Sequence, residues 1–254
     1  MHLNTFELAQ VQEGWWAHNA TRFGLVCAIT IGFAVLGHVV RGVTRGGAVA
    51  GGVMCFALFA AAGPGAFAGL LSVFALTWVA TRIGLASKQR MGTAERREGR
   101  AVSQVLANLG IAALCAVLSV VVREPILLLA MVASLCEAAA DTVSSESGQA
   151  FSNEARLITN FELVPAGTDG GITMLGTVAG GLAALLVSVV CAFSGLLGTR
   201  GMLTAALAGF AGMLSDSLLG AWFERRKRLG NDAVNFVSTA LAALVGFTWG
   251  YILS

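Results

Sequence analysis

Charge is scarce in this sequence. Only 12% of its 254 residues are Asp, Glu, Lys or Arg, against about 25% in a soluble globular domain. Hydrophobic residues make up 56%, and the mean hydropathy is +0.78. A water-soluble fold is thereby excluded, and the fold class expected is all-α, a polytopic integral membrane protein. Three prolines and no Ser/Pro-rich tract exclude long linkers, so residues 1–254 read as a single transmembrane domain. Cys27, Cys55, Cys115, Cys136 and Cys191 lie in apolar runs without a CxxC pair, which excludes a disulfide framework or a zinc site and leaves small buried hydrophobes. His2, His18 and His38 are scattered and receive no role. A formal charge of +2 is too small for a nucleic-acid partner. The first twenty residues lack the basic and apolar regions of a cleaved signal peptide.

What is present is glycine, 32 residues of it, as close helix packing in membranes requires, together with eight apolar runs. A span needs about 20 such residues. The runs cover roughly 22–40, 47–62, 64–84, 103–122, 125–141, 171–193, 201–220 and 233–253. Gly63-Pro64-Gly65 turns the second into the third, and Arg123-Glu124-Pro125 the fourth into the fifth. Trp15 and Trp16 precede the first as an interfacial anchor. Loops after odd-numbered spans carry 12 of the 16 basic residues. The positive-inside rule then puts those loops in the cytoplasm and both termini outside. The setting expected is a bacterial or archaeal-type plasma membrane with the active site facing the cytoplasm, because those loops also hold most hydroxyl, amide and acidic residues.

The stretch EAAADTVSSESGQ, 137–149, follows ILLLAMVASL without a turn residue and puts acids at the end of an apolar helix. Glu137 and Asp141 are four residues apart and share a helical face, and Glu146 follows. Asp216 is a further acid near the corresponding end of the seventh span. A charge at the centre of a transmembrane helix costs at least about 2.5–3.5 kcal/mol, so such groups face a cavity, a partner or an ion. One acid alone is as well explained by snorkelling or pairing with an arginine. Several, from different helices and with hydroxyls nearby, make an all-oxygen ligand set suited to Mg²⁺ and a polyphosphate.

PAGTDGGITMLGT, 165–177, opens the sixth span. Its glycines can expose backbone N–H groups to a phosphate at a helix N-terminus, although a plain helix cap accounts for them equally well. No GxxxxGK[ST] occurs, so this is not a P-loop. Arg225 to Arg228, RRKR, read most simply as an interfacial anchor, with phosphate or anionic lipid as the sharper alternative. Arg82 reads as a snorkelling side chain.

ADTVSSESG (140–148), RLIT (156–159), PAGTDGGITMLGT (165–177), DSLLGA (216–221) and NDAVNF (231–236) occur in that order, with GRAVSQVLAN (99–108) ahead of them. The series resembles the family of the eukaryotic transmembrane protein 19 and the plant phytyl-phosphate kinase of vitamin E synthesis, a former domain of unknown function. It runs from about residue 80 onward; the segment before it is similar only in hydropathy. A more distant likeness reaches the CTP-dependent polyprenol kinases and CDP-lipid synthases. Asp141 and Gly148 match their D-x-x-A-x-x-x-G motif at its two ends, while GTDGGIT lacks the Lys and Glu of their second motif.

The resemblance implies a kinase that moves the γ-phosphoryl group of a nucleoside triphosphate, CTP foremost, to a phytyl- or geranylgeranyl-type monophosphate. It implies Asp141, Glu146 and Asp216 as catalytic metal ligands for Mg²⁺, with Glu137 as an additional ligand. Lys88, Arg100, Asn108, Arg156, Thr168, Asp169, Gly170, Gly171, Thr173, Asn231 and Asn235 follow as nucleotide- or phosphate-binding residues. The expected partners are an isoprenoid lipid phosphate, the lipid bilayer and, as an open alternative, a second copy in a homodimer. A CDP-lipid-forming cytidylyltransferase and an ion or small-solute transporter are the other two readings. The transporter is disfavoured because the acids lie near the helix ends and not at the midplane.

Overall fold

The computed structural model describes residues 20–94 and 97–253. Trp15, Trp16, His2, His18 and Arg96 lie outside the described residues. Helix α1 covers Ala20–Val39, α2 Arg45–Arg82, α3 Leu85–Met91, α4 Val102–Val121 and α5 Ile126–Phe151. Three short strands follow, β1 Glu154–Leu157, β2 Leu163–Pro165 and β3 Gly171–Ile172. Helix α6 is Met174–Phe193, α7 Thr199–Leu219 with a π-helical turn over Gly220–Glu224, and α8 Asn231–Leu253.

Seven of these helices are long and apolar enough to cross a membrane, and one of the seven is two spans. A straight helix of 38 residues would be about 57 Å long, nearly twice the hydrocarbon layer of about 30 Å. It is broken at Gly63 (φ 74°, ψ −164°), a left-handed geometry for which glycine is suited, followed by Pro64. Phe59 and Phe67, eight residues apart, would be about 12 Å apart along a continuous helix; their rings stack with centroids 5.3 Å apart. The returning limb ends where α1 ends, with Trp78 Nε1 donating to Val40 O at 3.2 Å. Residues 45–62 and 64–82 are therefore antiparallel, and the described residues hold eight segments of membrane-crossing length and composition.

Helix α5 is the centre of the bundle. It packs against α2, α4, α6, α7 and α8, and from Leu128 to Ala140 every side chain is buried. A helix surrounded by helices can be apolar all round, so ILLLAMVASL needs no amphipathic stripe. The helix runs on to Phe151, well past the span end expected near 141. The polar residues of DTVSSESGQ thus extend α5 toward the loops.

The all-α reading holds, with one addition outside the spans. Residues 154–172 form a three-stranded antiparallel sheet of order β2-β1-β3, with Ala155 opposite Val164 and Arg156 opposite Ile172. Strands this short hide their backbone groups by pairing rather than by burying a long apolar face. The sheet sits between α5 and α6, at the same end of the bundle as Asp141.

Candidate functional site

Three carboxylates lie near the crossing of α5 and α7. Glu137 and Asp141 project from one face of α5, and Asp216 comes from the last turn of α7. The helices approach this closely because α7 carries glycine at the crossing: a Cβ on Gly212 would lie 2.6 Å from Glu137 Cγ. The Asp141, Asp216 and Glu137 carboxyls lie within electrostatic reach of one another.

The three are held differently. Asp216 Oδ2 accepts from Ser238 Oγ at 3.0 Å. The Asn235 amide nitrogen faces Asp216 Oδ2 (3.2 Å) and Asn231 O (3.3 Å), while its oxygen accepts from Asn108 Nδ2 (3.3 Å). Helices α4 and α8 thus orient the α7 carboxylate. Asp141 is offset by the Arg100 guanidinium, whose Nη2 donates to Thr142 Oγ1 at 3.3 Å. Glu137 is 1% exposed, and neither of its oxygens has a hydrogen-bond partner among the described residues. The nearby Ser238 hydroxyl is turned to Asp216 instead. An unpaired buried polar group costs several kcal/mol, so the position of Glu137 calls for a ligand or a proton.

Glu146 and Lys88 stand apart from this cluster. Lys88 Nζ is buried and donates to Ala80 O (3.1 Å), Thr81 O (2.8 Å) and Glu146 Oε2 (2.5 Å). An ammonium has three protons, and all are committed. Lys88 is accordingly a tie between α3, the end of α2 and α5, with no donor left for a phosphate. Glu146 neutralises that ammonium.

The Gly-rich segment is also occupied with itself. Thr173 Oγ1 caps α6 by accepting from Gly176 N at 3.0 Å, and Thr168 Oγ1 donates to Pro165 O at 2.7 Å. Gly171 N donates to Thr168 O at 2.8 Å. Gly170 (φ 75°) packs against Ala221 at the π-helical turn. This contact sets Asp169 beside Arg225 and Glu224; partial burial raises the Asp169 carboxyl above the usual range, and Arg225 opposes the shift. Arg156 is exposed on β1 and donates to Phe161 O at 2.9 Å.

Of the residues expected at the site, Glu137, Asp141, Asp216, Arg100, Asn108, Asn231 and Asn235 come together. Lys88, Glu146, Arg156, Thr168, Gly170, Gly171 and Thr173 have structural partners of their own. Asp169 stands at the margin. The sequence reading missed Ser238 and Glu224. Ser238 carries a signal in retrospect, one helical turn after Asn235. Glu224 acts electrostatically on Asp216, yet its neighbour RRKR made the segment read as an anchor. Among the described residues no three His, Cys, Asp or Glu converge as a preformed metal centre.

No solved structure matches the chain. An uncharacterized membrane protein of Methanocaldococcus jannaschii is 39% identical over 179 residues, which cover 70% of this chain and 73% of that protein. An uncharacterized membrane protein of Synechocystis is 34% identical over 193 residues, 74% of this chain and 75% of the relative. The chloroplastic protein VTE6 of Arabidopsis thaliana is 31% identical over 216 residues, 82% of this chain and 65% of the plant protein. Residues 28–243 match the family described as integral membrane protein DUF92, so the match takes in α5, α7 and nearly all of the hairpin that the motif series had left out, and the chain belongs to that family.

Proposed function

We propose that this chain is a membrane-embedded prenyl-phosphate kinase. It transfers the γ-phosphoryl group of a nucleoside triphosphate, CTP in preference, to an isoprenyl monophosphate of phytyl or geranylgeranyl type. The observation that carries the reading is the set of three carboxylates from α5 and α7, Glu137 buried and Asp141 and Asp216 half-buried, of which Glu137 lacks a hydrogen-bond partner among the described residues. Membership of a family with a plant relative supports it, as does the motif series that resembles the phytyl-phosphate kinase.

The donor set fits Mg²⁺. Asp141 and Asp216 are hard oxygen ligands, Glu137 is an orphaned third, and one or two protein carboxylates completed by water and phosphate oxygens are what this ion ordinarily takes. Bound there, magnesium would supply neutralisation of the polyphosphate charge. The chain's own groups do the rest. Asn235, Asn108 and Ser238 fix the Asp216 carboxylate, and Arg100 offsets Asp141 while presenting its remaining N–H groups to phosphate oxygens. An oxygen of the acceptor phosphate attacks the γ-phosphorus. The bond from that phosphorus to the bridging oxygen breaks, and the nucleoside diphosphate leaves with the electron pair. The acceptor is already an anion, so positioning and charge neutralisation suffice without a strong base. The bias of Lys and Arg toward one set of loops supports a cytoplasmic site.

The test uses purified protein with a C20 prenyl monophosphate, CTP and Mg²⁺. Prenyl diphosphate and CDP in equal amounts are expected. Pyrophosphate with a CMP-bearing lipid would replace the kinase by the cytidylyltransferase. Ion flux in proteoliposomes without nucleotide turnover would replace it by the transporter.

A further inference from the structure

A cavity of about 410 Å³ lies on the other side of the carboxylate cluster, enclosed by α1, both limbs of α2 and α4. Its body is apolar, with Phe33, Leu70, Val73, Phe74 and Leu109 among the lining side chains. Its polar end carries Arg41, Arg82, Arg97 and Arg100, and among the described residues no carboxylate lines it. A backbone bridge gathers two of these arginines: Thr44 N donates to Arg100 O and Arg100 N to Gly42 O, both at 3.0 Å. Arg82 stacks over Trp78 at 3.8 Å and donates to Val40 O at 2.6 Å. Arg41 and Arg97 have no ion-pair partner among the described residues. Four guanidiniums stand at the mouth of a greasy cavity whose lining holds no carboxylate among the described residues; Arg100 acts on Asp141 outside that lining, and Arg41 and Arg97 are left without an acid to balance them.

We propose that this cavity is the acceptor subsite, holding an isoprenoid chain in its body and the phosphate monoester of that lipid against the four arginines. The inference rests on the kinase reading for its purpose and deepens it by assigning the substrate to the N-terminal hairpin. Charge complementarity selects the occupant. A monoester is a dianion at neutral pH, and guanidinium forks bind it in bidentate fashion. A prenyl alcohol offers no charge, and an inorganic phosphate would leave the apolar body unfilled. The cavity also adjoins the chemistry. Arg100 and Asn108 line it, while Arg100 also acts on Asp141 and Asn108 supports Asn235. A phosphate held at the mouth therefore stands beside the carboxylates that would hold the donor.

Gly51 supplies a clean test. It lines the cavity, and a Cβ there would meet nothing within 4 Å, so Gly51→Leu adds bulk at the cavity wall from a position that accepts a side chain's first carbon. Binding to purified protein is measured without nucleotide, using C20 prenyl monophosphate, the C20 alcohol, inorganic phosphate and phosphatidic acid as separate probes. Native protein is expected to take the prenyl monophosphate at least tenfold more tightly than the other three. Gly51→Leu and the double change Arg41→Gln, Arg97→Gln should each weaken that binding at least tenfold with an unchanged melting temperature. In turnover assays both variants should raise the KM for the lipid and leave the KM for CTP alone. Unaltered lipid binding in Gly51→Leu would overturn the proposal, as would preferential binding of phosphatidic acid. Binding that is sensitive to Gly51→Leu but accompanied by no nucleotide turnover would leave the subsite standing and remove the kinase. Normal turnover with an unchanged lipid KM in Gly51→Leu would do the reverse.

Discussion

Two regions at one end of the bundle look alike in sequence and behave in opposite ways. The Gly-rich segment 165–173 and the crossing of α5 with α7 are both rich in small and polar residues. In the first, hydroxyls and amides bond within the segment itself: Thr168 to Pro165, Gly171 to Thr168, and Thr173 to Gly176. In the second, Glu137 is buried with no hydrogen-bond partner among the described residues. Burial makes polar satisfaction the rule, and departures from it mark strain, catalysis or an absent ligand. On the proposed reading the segment shapes the site, and the crossing holds its chemistry.

That contrast breaks most sharply at the aspartates. Asp141→Asn and Asp216→Asn keep size and remove charge, and each is expected to lower turnover about a thousandfold, about 4 kcal/mol of barrier, with folded protein recovered normally. Turnover within tenfold of the native value in either variant would remove that residue from the metal-binding set. Lys88→Met comes next. It leaves two carbonyls and Glu146 without their ammonium, and breaking such a buried pair is expected to cost about 3 kcal/mol of stability. Thermal unfolding in detergent reads this as a large drop in melting temperature; an unchanged value would mean the tie carries no weight.

Glu137→Gln sharpens the comparison, because stability and activity should move in opposite directions. Removing an unpaired buried carboxylate is expected to stabilise the protein by about 1 kcal/mol while turnover falls about tenfold. Gains in both would make Glu137 a purely structural liability. The smallest effect belongs to the satisfied segment. Thr168→Ala in it, and Arg156→Gln on the neighbouring β1, should each change kcat and both KM values by less than about threefold, below about 0.7 kcal/mol. A tenfold rise in the KM for CTP would show that the segment touches nucleotide after all.

Much of the architecture was legible because the bilayer restricts what a chain can do. Apolar runs of span length, broken at Gly63-Pro64, mark the crossings, and acids inside such runs are costly enough to stand out, which is why Asp141 and Asp216 were singled out as candidates. The α5 extension was not legible, since SSESGQ reads as loop when its neighbours in the bundle are unknown. The sheet was hidden for another reason: strands of four, three and two residues carry too little alternation to register. Lys88 and Glu146 are 58 positions apart, so an ion pair that cancels both was invisible, and each was assigned to phosphate or metal. The cavity lining could not be read either. Phe33 and Phe74 inside it are the same residue types that elsewhere face lipid.

The Lys88 tie has a kinetic consequence. One ammonium closes the carbonyl end of the returning α2 limb and grips α5 beyond Asp141. It thereby clamps the wall of the cavity to the helix that carries the carboxylates. If the two regions are the acceptor and donor subsites proposed above, their separation is set during folding and does not wait for substrate. Little reorganisation would then remain when the two anions meet, and encounter geometry would be purchased in advance as protein stability.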